Sequence, residues 1–174
     1  MLSLKNTVFV FPSGKNKNFG LLGNATGAAI MTINVKIKRT GDAKMPSYAH
    51  PGDAGVDLYA ADNYILKPMQ RQLISTGLKM AIPPGYEGQV RPKSGLSAKH
   101  GLSVVNTPGT IDSGYRGEVM IILINLGQEE YRVEKGTKVA QLVFKKVETA
   151  DFQEVEDLDE TSRNEGGFGS TGIN

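Results

Sequence analysis

At 174 residues the chain is long enough to bury one core and too short for two, so one domain with tails is expected. Its 20 Lys and Arg against 18 Asp and Glu leave a net charge of +2, which provides no large field for holding nucleic acid or a membrane surface. Cysteine is absent, which excludes disulfides, zinc-thiolate sites and thiol nucleophiles; the apolar runs all fall short of the ~20 residues of a membrane-spanning helix, and a soluble, cytoplasmic protein is expected.

The chain opens on a basic stretch. Lys5, Lys15, Lys17, Lys36, Lys38 and Arg39 occur before Gly41 without a single Asp or Glu. The charge bias is that of a targeting peptide, but the stretch is poor in Arg, lacks an apolar core followed by a small-residue cleavage site, and carries Gly and Asn where an amphipathic helix needs better formers. Residues 1–31 are therefore read as a leader, disordered or non-native, with Met31 a candidate start.

From Ile33 the pattern alternates. Ile33, Val35 and Ile37 take one side and Asn34, Lys36 and Lys38 the other, the period of a half-buried strand. Short apolar runs then recur between turn signals at Pro51-Gly52-Asp53, Pro83-Pro84-Gly85, Pro108-Gly109 and Ser113-Gly114, the spacing of an all-β sandwich or barrel. No stretch sustains a helical period. Val119 to Ile124 is apolar at every position and reads as a strand buried on both faces, in a core or a subunit interface. Beyond Phe144 the chain turns acidic, and residues 148–174 read as a polar linker ending in a Gly-rich arm.

Five segments carry candidate chemistry. Asp57, in Pro51-Gly52-Asp53-Ala54-Gly55-Val56-Asp57-Leu58, lies between apolar neighbours, and a carboxylate on an inward face needs a partner, a water network or a cation. Arg91-Pro92-Lys93-Ser94-Gly95-Leu96 sets cationic side chains about a hydroxyl and a glycine, which suits a phosphate and equally a surface turn. Asn106-Thr107-Pro108-Gly109-Thr110-Ile111-Asp112-Ser113-Gly114-Tyr115-Arg116-Gly117 is a hairpin-like stretch in which Asp112 is either a base or a turn cap. Gln141 interrupts the apolar strand Gly136 to Phe144. The arm, Arg163-Asn164-Glu165-Gly166-Gly167-Phe168-Gly169-Ser170-Thr171-Gly172, contains a formal G-x-G-x-x-G, but no strand feeds it and no helix leaves it, which excludes a dinucleotide fingerprint. Its backbone N–H groups, hydroxyls, Arg163 and Phe168 still suit a nucleotide. His50 and His100 read as surface residues.

In this order the segments resemble the five motifs of the trimeric dUTPase family, as P-G-D-A-G-V-D-L, P-K-S-G-L, N-T-P-G-T-I-D-S-G-Y-R-G, G-T-K-V-A-Q-L and R-N-E-G-G-F-G-S-T-G. The resemblance implies an all-β barrel or jelly-roll of the β-clip kind, a homotrimer whose C-terminal arms are exchanged between subunits, and hydrolysis of dUTP to dUMP and pyrophosphate with Mg²⁺. It implies further that Asp112 is the general base on the attacking water, that Asp57 organises water and metal, and that Gln141 lies near the α-phosphate. Lys93, Ser94 and Gly95 correspond to the phosphate loop. Asn106, Gly109, Thr110 and Ile111 correspond to the uracil pocket, with Met120 lining it, and Tyr115 to the ring beneath the deoxyribose. Arg163, Phe168, Gly169, Ser170 and Thr171 correspond to the closing arm. No direct protein ligand to Mg²⁺ is implied, since the phosphates and waters hold it, and neither nucleic acid nor membrane is an implied partner. Two positions depart from the family pattern: Lys93 replaces the usual Arg, and Asn164 the usual Gly, where Asn tolerates a left-handed backbone. The related dCTP deaminases need a carboxylate in the strand after the third motif, and Val119 to Ile124 offers none.

Overall fold

The computed structural model describes residues 19–23 and 29–167. Strands β1 (Phe19–Gly23) and β2 (Ala29–Ile33) pair with each other as a hairpin, and the remainder of the leader lies outside the described residues. The strand expected from Ile33 is interrupted there: β2 ends at Ile33 and β3 spans Lys36–Arg39. Val35 and Ile37 nevertheless pack against the core while Lys36 and Lys38 face solvent, as the alternation requires.

The elements that follow are β4 (Gly55–Tyr59), β5 (Tyr64–Leu66), β6 (Arg71–Ala81), β7 (Tyr86–Arg91), α1 (Ser94–His100), β8 (Leu102–Val104), β9 (Gly109–Ile111), β10 (Glu118–Asn125), β11 (Tyr131–Val133) and β12 (Lys138–Lys146). They form two four-stranded sheets, β3-β6-β10-β8 and β4-β12-β7-β9, with β5 and β11 paired beside them. All pairings are antiparallel. Both large sheets feed one core: Leu78, Met80, Val119, Ile121 and Leu123 from one, and Val56, Leu58, Val90 and Leu142 from the other. The all-β expectation holds. Among the described residues no helix is long and apolar enough to cross a membrane.

One expectation is corrected and another is narrowed. The Lys93-Ser94-Gly95 stretch, read as a loop or turn, opens the seven-residue helix α1, with Lys93 at its N-cap. Seven residues show less than two full turns, too little for a helical period to emerge. The helix stops at Gly101, where φ is +69° and the backbone packs on Gly127 too closely for a side chain. Of the two settings expected for β10, a core or a subunit interface, its own chain supplies burial on one face. Val119, Ile121 and Leu123 are sealed in the core, whereas Met120, Ile122 and Ile124 remain partly open, beside the half-exposed Leu73 that pairs with Ile122. A continuous apolar run does not distinguish a strand walled on both sides from one with a second apolar face left uncovered within its own chain.

At the end of β10 the fully buried Asn125 ties three segments together. Its Nδ2 donates to the Leu66 carbonyl at 2.9 Å and to the Glu129 carbonyl at 2.7 Å, while its Oδ1 accepts from Gly127 N at 2.9 Å. Asn125→Leu leaves the buried Leu66 carbonyl without its partner and frees two half-buried ones, and is expected to cost on the order of 2–3 kcal/mol. Urea unfolding checks this, and an unchanged midpoint would show that the three bonds contribute nothing net.

Candidate active site

One face of the β4-β12-β7-β9 sheet is apolar and turned to the core; the other is polar and carries the site. The register sets Gln141 of β12 opposite both Asp57 of β4 and Arg91 of β7, so the three lie in a row across one face. The row borders a cleft of about 350 Å³ whose lining includes Asp53, Gly55, Asp57, Arg91, Lys93, Lys138 and Gln141.

Asp57 is only 5 % exposed and sits between two cations. Lys93 Nζ binds its Oδ1, and Lys138 Nζ lies 2.6 Å from its Oδ2. Burial pushes the carboxyl up, but hydrogen bonds and charge from Lys138 and Lys93 outweigh it and hold the group below the ordinary carboxylate range. In return Asp57 raises the Lys138 ammonium. Lys138 reaches this face because of a bulge. Three residues before Gln141, it would point into the core in a regular strand, but the register shift between Lys138 and Ala140 inserts one extra residue and turns it outward, opposite Tyr59.

Gln141 is held by its own amide. Its Nε2 donates to the Pro92 carbonyl at 2.9 Å, which fastens β12 to the turn before α1. The side-chain oxygen then rests against the α-carbon of Gly55, where a Cβ would collide with it. Glycine at this position is a requirement of close approach.

The third motif forms a separate group. Gly109, Thr110 and Ile111 make up β9, paired to β7, with Asn106 folded against Gly109. Tyr115 Oη donates to the Glu118 carbonyl at 3.0 Å, and its ring covers Gly117, leaving no space there for a side chain. Arg116 Nη1 fixes the turn by donating to the carbonyls of Ser113 and Tyr115, both at 2.7 Å. Asp112 closes β9 with its carboxylate exposed; Met120 lies 36 % exposed on β10. None of residues 106–120 lines the Asp57 cleft. A single chain thus brings Asp57, Lys93 and Gln141 to one cleft, which Asn106, Asp112, Tyr115 and Met120 do not line.

In the arm, Thr161 N donates to Asn164 Oδ1 at 2.6 Å and Asn164 N to Thr161 Oγ1 at 2.9 Å, around an Asn164 backbone with φ +40°, the left-handed conformation expected of it. Arg163 Nε donates to the Gly166 carbonyl at 2.8 Å. Phe168, Gly169, Ser170 and Thr171 lie outside the described residues. His50 and His100 are both exposed. Lys138 is a cleft residue that the sequence reading did not single out; a cation within the fourth motif was the available signal, but its direction depends on the bulge.

Three cations, Arg91, Lys93 and Lys138, against two carboxylates, Asp53 and Asp57, give the cleft a surplus of positive charge. Fold and cleft together define an all-β protein with a cleft of net positive charge. The chain belongs to the dUTPase family, whose sequence profile matches residues 41–172. Among its relatives, the deoxyuridine 5'-triphosphate nucleotidohydrolase of Clostridium novyi is 55% identical over 142 residues, 81% of this chain and 100% of that protein. The enzyme of the same name from Clostridium kluyveri is 54% identical over 131 residues, 75% and 92% of the two chains. The structure is similar to that of the Staphylococcus bacteriophage 80alpha dUTPase with dUpNHpp, with a TM-score of 0.76 and 31% identity, covering 82% of this chain and 100% of the other. It is also similar to a mutant dUTPase from phage phi11 of S. aureus, described with a structural Mg(II) ion, at a TM-score of 0.68 and 28% identity over 73% and 99% of the chains.

Two outcomes are expected. Gly55→Ala displaces the Gln141 amide and should lower kcat/KM by about 10- to 100-fold with little change in melting temperature; full activity would show that the close contact is dispensable. Because the folded Asp57 carboxyl lies below its ordinary value of 3.8, its contribution to stability is present above that pH and is lost as pH falls through the lowered folded value. Asp57→Asn should therefore be less stable than wild type at neutral pH, with the gap closing below pH 3.8. A gap independent of pH, measured by urea unfolding along the series, would contradict the ionic clamp.

Proposed function

We propose that the chain hydrolyses dUTP to dUMP and pyrophosphate in sites completed between copies of itself. The observation that carries this reading is the cationic cleft around Asp57, built from three of the five family motifs, Gly55–Asp57, Lys93 and Gln141. Lys93, Ser94 and Gly95 take the phosphates, and Gln141 sits near the α-phosphate. Asp112 is the base: it takes a proton from water as the water oxygen bonds to the α-phosphorus, while the bond from that phosphorus to the bridging oxygen breaks and pyrophosphate leaves. Asn106, Gly109, Thr110 and Ile111 hold uracil, with Met120 beside it, and Tyr115 underlies the deoxyribose and leaves no room for a 2′-hydroxyl. The arm, with Arg163, Phe168, Gly169, Ser170 and Thr171, closes over the nucleotide and excludes bulk water.

Two observations favour a homotrimer with shared sites. Asp112 does not line its own chain's phosphate cleft, and β10 leaves Met120, Ile122 and Ile124 open beside Leu73, an apolar face suited to other copies of the chain. The cleft also fits the use of Mg²⁺. Three cations against two carboxylates leave one net positive charge, too little for a triphosphate, and both oxygens of Asp57 are already engaged. A metal would arrive with the substrate, held by phosphate oxygens and water, with Asp57 in reach only through water. Its chemistry would be to neutralise charge on the pyrophosphate leaving group. We place the chain's action in the cytoplasm. Deamination of dCTP finds no support. The carboxylate at the head of β10, Glu118, is bound to Ser75 Oγ and, at 2.8 Å, to Gly77 N.

Pyrophosphate release from dUTP, dCTP, dTTP and UTP in turn tests the reading. Strong preference for dUTP is expected, and Asp112→Asn should lower turnover by about 10²- to 10⁴-fold while retaining affinity for dUpNHpp. Comparable hydrolysis of dTTP or UTP would remove the pocket assignment, and near-normal turnover in the variant would remove Asp112 as the base.

A further inference from the structure

The cleft contains one cation that no carboxylate balances. On β7 the side chains of Glu87, Gln89 and Arg91, alternate residues of one strand, share a face and are linked in series. Gln89 Nε2 donates to Glu87 Oε1 at 2.6 Å, and Gln89 Oε1 accepts from Arg91, from Nε at 3.2 Å and also from Nη2. The sequence of bonds has a direction. A carboxylate accepts only, so it draws the amide NH₂ of Gln89 toward Glu87 and obliges the amide oxygen to face the guanidinium. Arg91 is thereby held along one edge by a neutral group, while Nη1 remains available.

The other cations of the cleft are disposed differently. Lys93 and Lys138 are both committed to Asp57, whereas among the described residues no carboxylate lies within ion-pair reach of Arg91. Arg91 is half-buried and lines the same cleft, in register with Gln141. Partly desolvating a guanidinium without a counter-charge is unfavourable in the empty site, and an arriving anion recovers that cost. A guanidinium oriented beforehand also loses less freedom on binding than a mobile lysine and offers a planar fork that matches phosphate oxygens.

We propose that Arg91 is a triphosphate-binding residue, aimed into the cleft by Gln89 and Glu87, and that it supplies the two-pronged contact which Lys93, a point charge already paired with Asp57, does not. The proposal rests on the dUTP reading and extends it to a residue outside the phosphate loop. Gln89 is a positioning residue. It acts through Arg91 without meeting the substrate.

Calorimetric titration of the full-length protein with dUpNHpp and with deoxyuridine, which has no phosphate, tests this. Arg91→Gln is expected to weaken dUpNHpp by about 10- to 100-fold and deoxyuridine by less than about twofold, with KM for dUTP rising more than kcat falls. Arg91→Lys, which keeps the charge and loses the fork, should fall between wild type and Arg91→Gln. Gln89→Met, which fills the space but cannot orient the guanidinium through a strong acceptor, should weaken dUpNHpp by about 3- to 10-fold without altering deoxyuridine. The proposal is overturned if dUpNHpp binds Arg91→Gln within about twofold of wild type, or if both ligands weaken together. Should Arg91→Gln fail to fold, unchanged dUpNHpp affinity in Arg91→Lys overturns it equally. Failure of the dUTP reading is separately visible: wild type would then release no pyrophosphate from dUTP, while Arg91-dependent binding of inorganic tripolyphosphate would still uphold the anion contact.

Discussion

Asp57 is a carboxylate almost wholly withdrawn from water, and the polar face of the β4-β12-β7-β9 sheet is organised around satisfying it. An unpaired charge in that position would be prohibitively costly, so two lysines are drawn onto it from different parts of the chain. Lys93 fixes the junction between β7 and α1, and Lys138 fixes the bulged start of β12. One carboxylate therefore positions the Lys93 junction against the strand that carries Gln141. The cost of burial becomes order in the site.

The remaining contacts around Asp57 follow the same logic of mutual dependence. Gln141 ties β12 to Pro92 through Nε2, and its Oε1 takes the space left by the missing side chain of Gly55 on β4. The turn of the third motif is closed from within, by Arg116 on two carbonyls and by Tyr115 over Gly117. Gly55, Gly109 and Gly117 each have a large or polar neighbour in the space that a side chain would take, respectively Gln141, Asn106 and Tyr115, whereas Gly52, Gly95 and Gly114 face open space. At the first three positions glycine serves close approach, and Gly52, with φ +91°, serves a turn.

The half-open face of β10 connects fold to assembly. Its inner side completes the core, while its outer side presents Met120, Ile122 and Ile124 next to Leu73. Met120 belongs both to that face and to the proposed uracil pocket. Closing the surface against other copies would then complete the pocket in the same step, coupling activity to oligomerisation.

Much of this was legible in the sequence by itself. Period-two alternation and closely spaced Gly-Pro-Asp turns determined an all-β chain, because a strand's two faces meet different solvents and a reversal needs residues tolerant of unusual backbone. The order of the five segments identified Asp57, Lys93 and Gln141, which the fold brings to one cleft. Asn164 likewise has the left-handed backbone that its side chain tolerates. Tertiary structure alone decided the rest. Lys138 counts as an inward residue on any regular strand, and only the bulge, a property of its pairing with β4, turns it to Asp57. The helix at Ser94 was too short to show a period, and the apolar run in β10 could not reveal which of its faces its own chain would leave open. Arg91 differs from the lysines near it by its partner, a neutral Gln89 two residues back on the same strand in place of a carboxylate, but its place opposite Gln141 in the cleft is set by register, which local sequence does not encode.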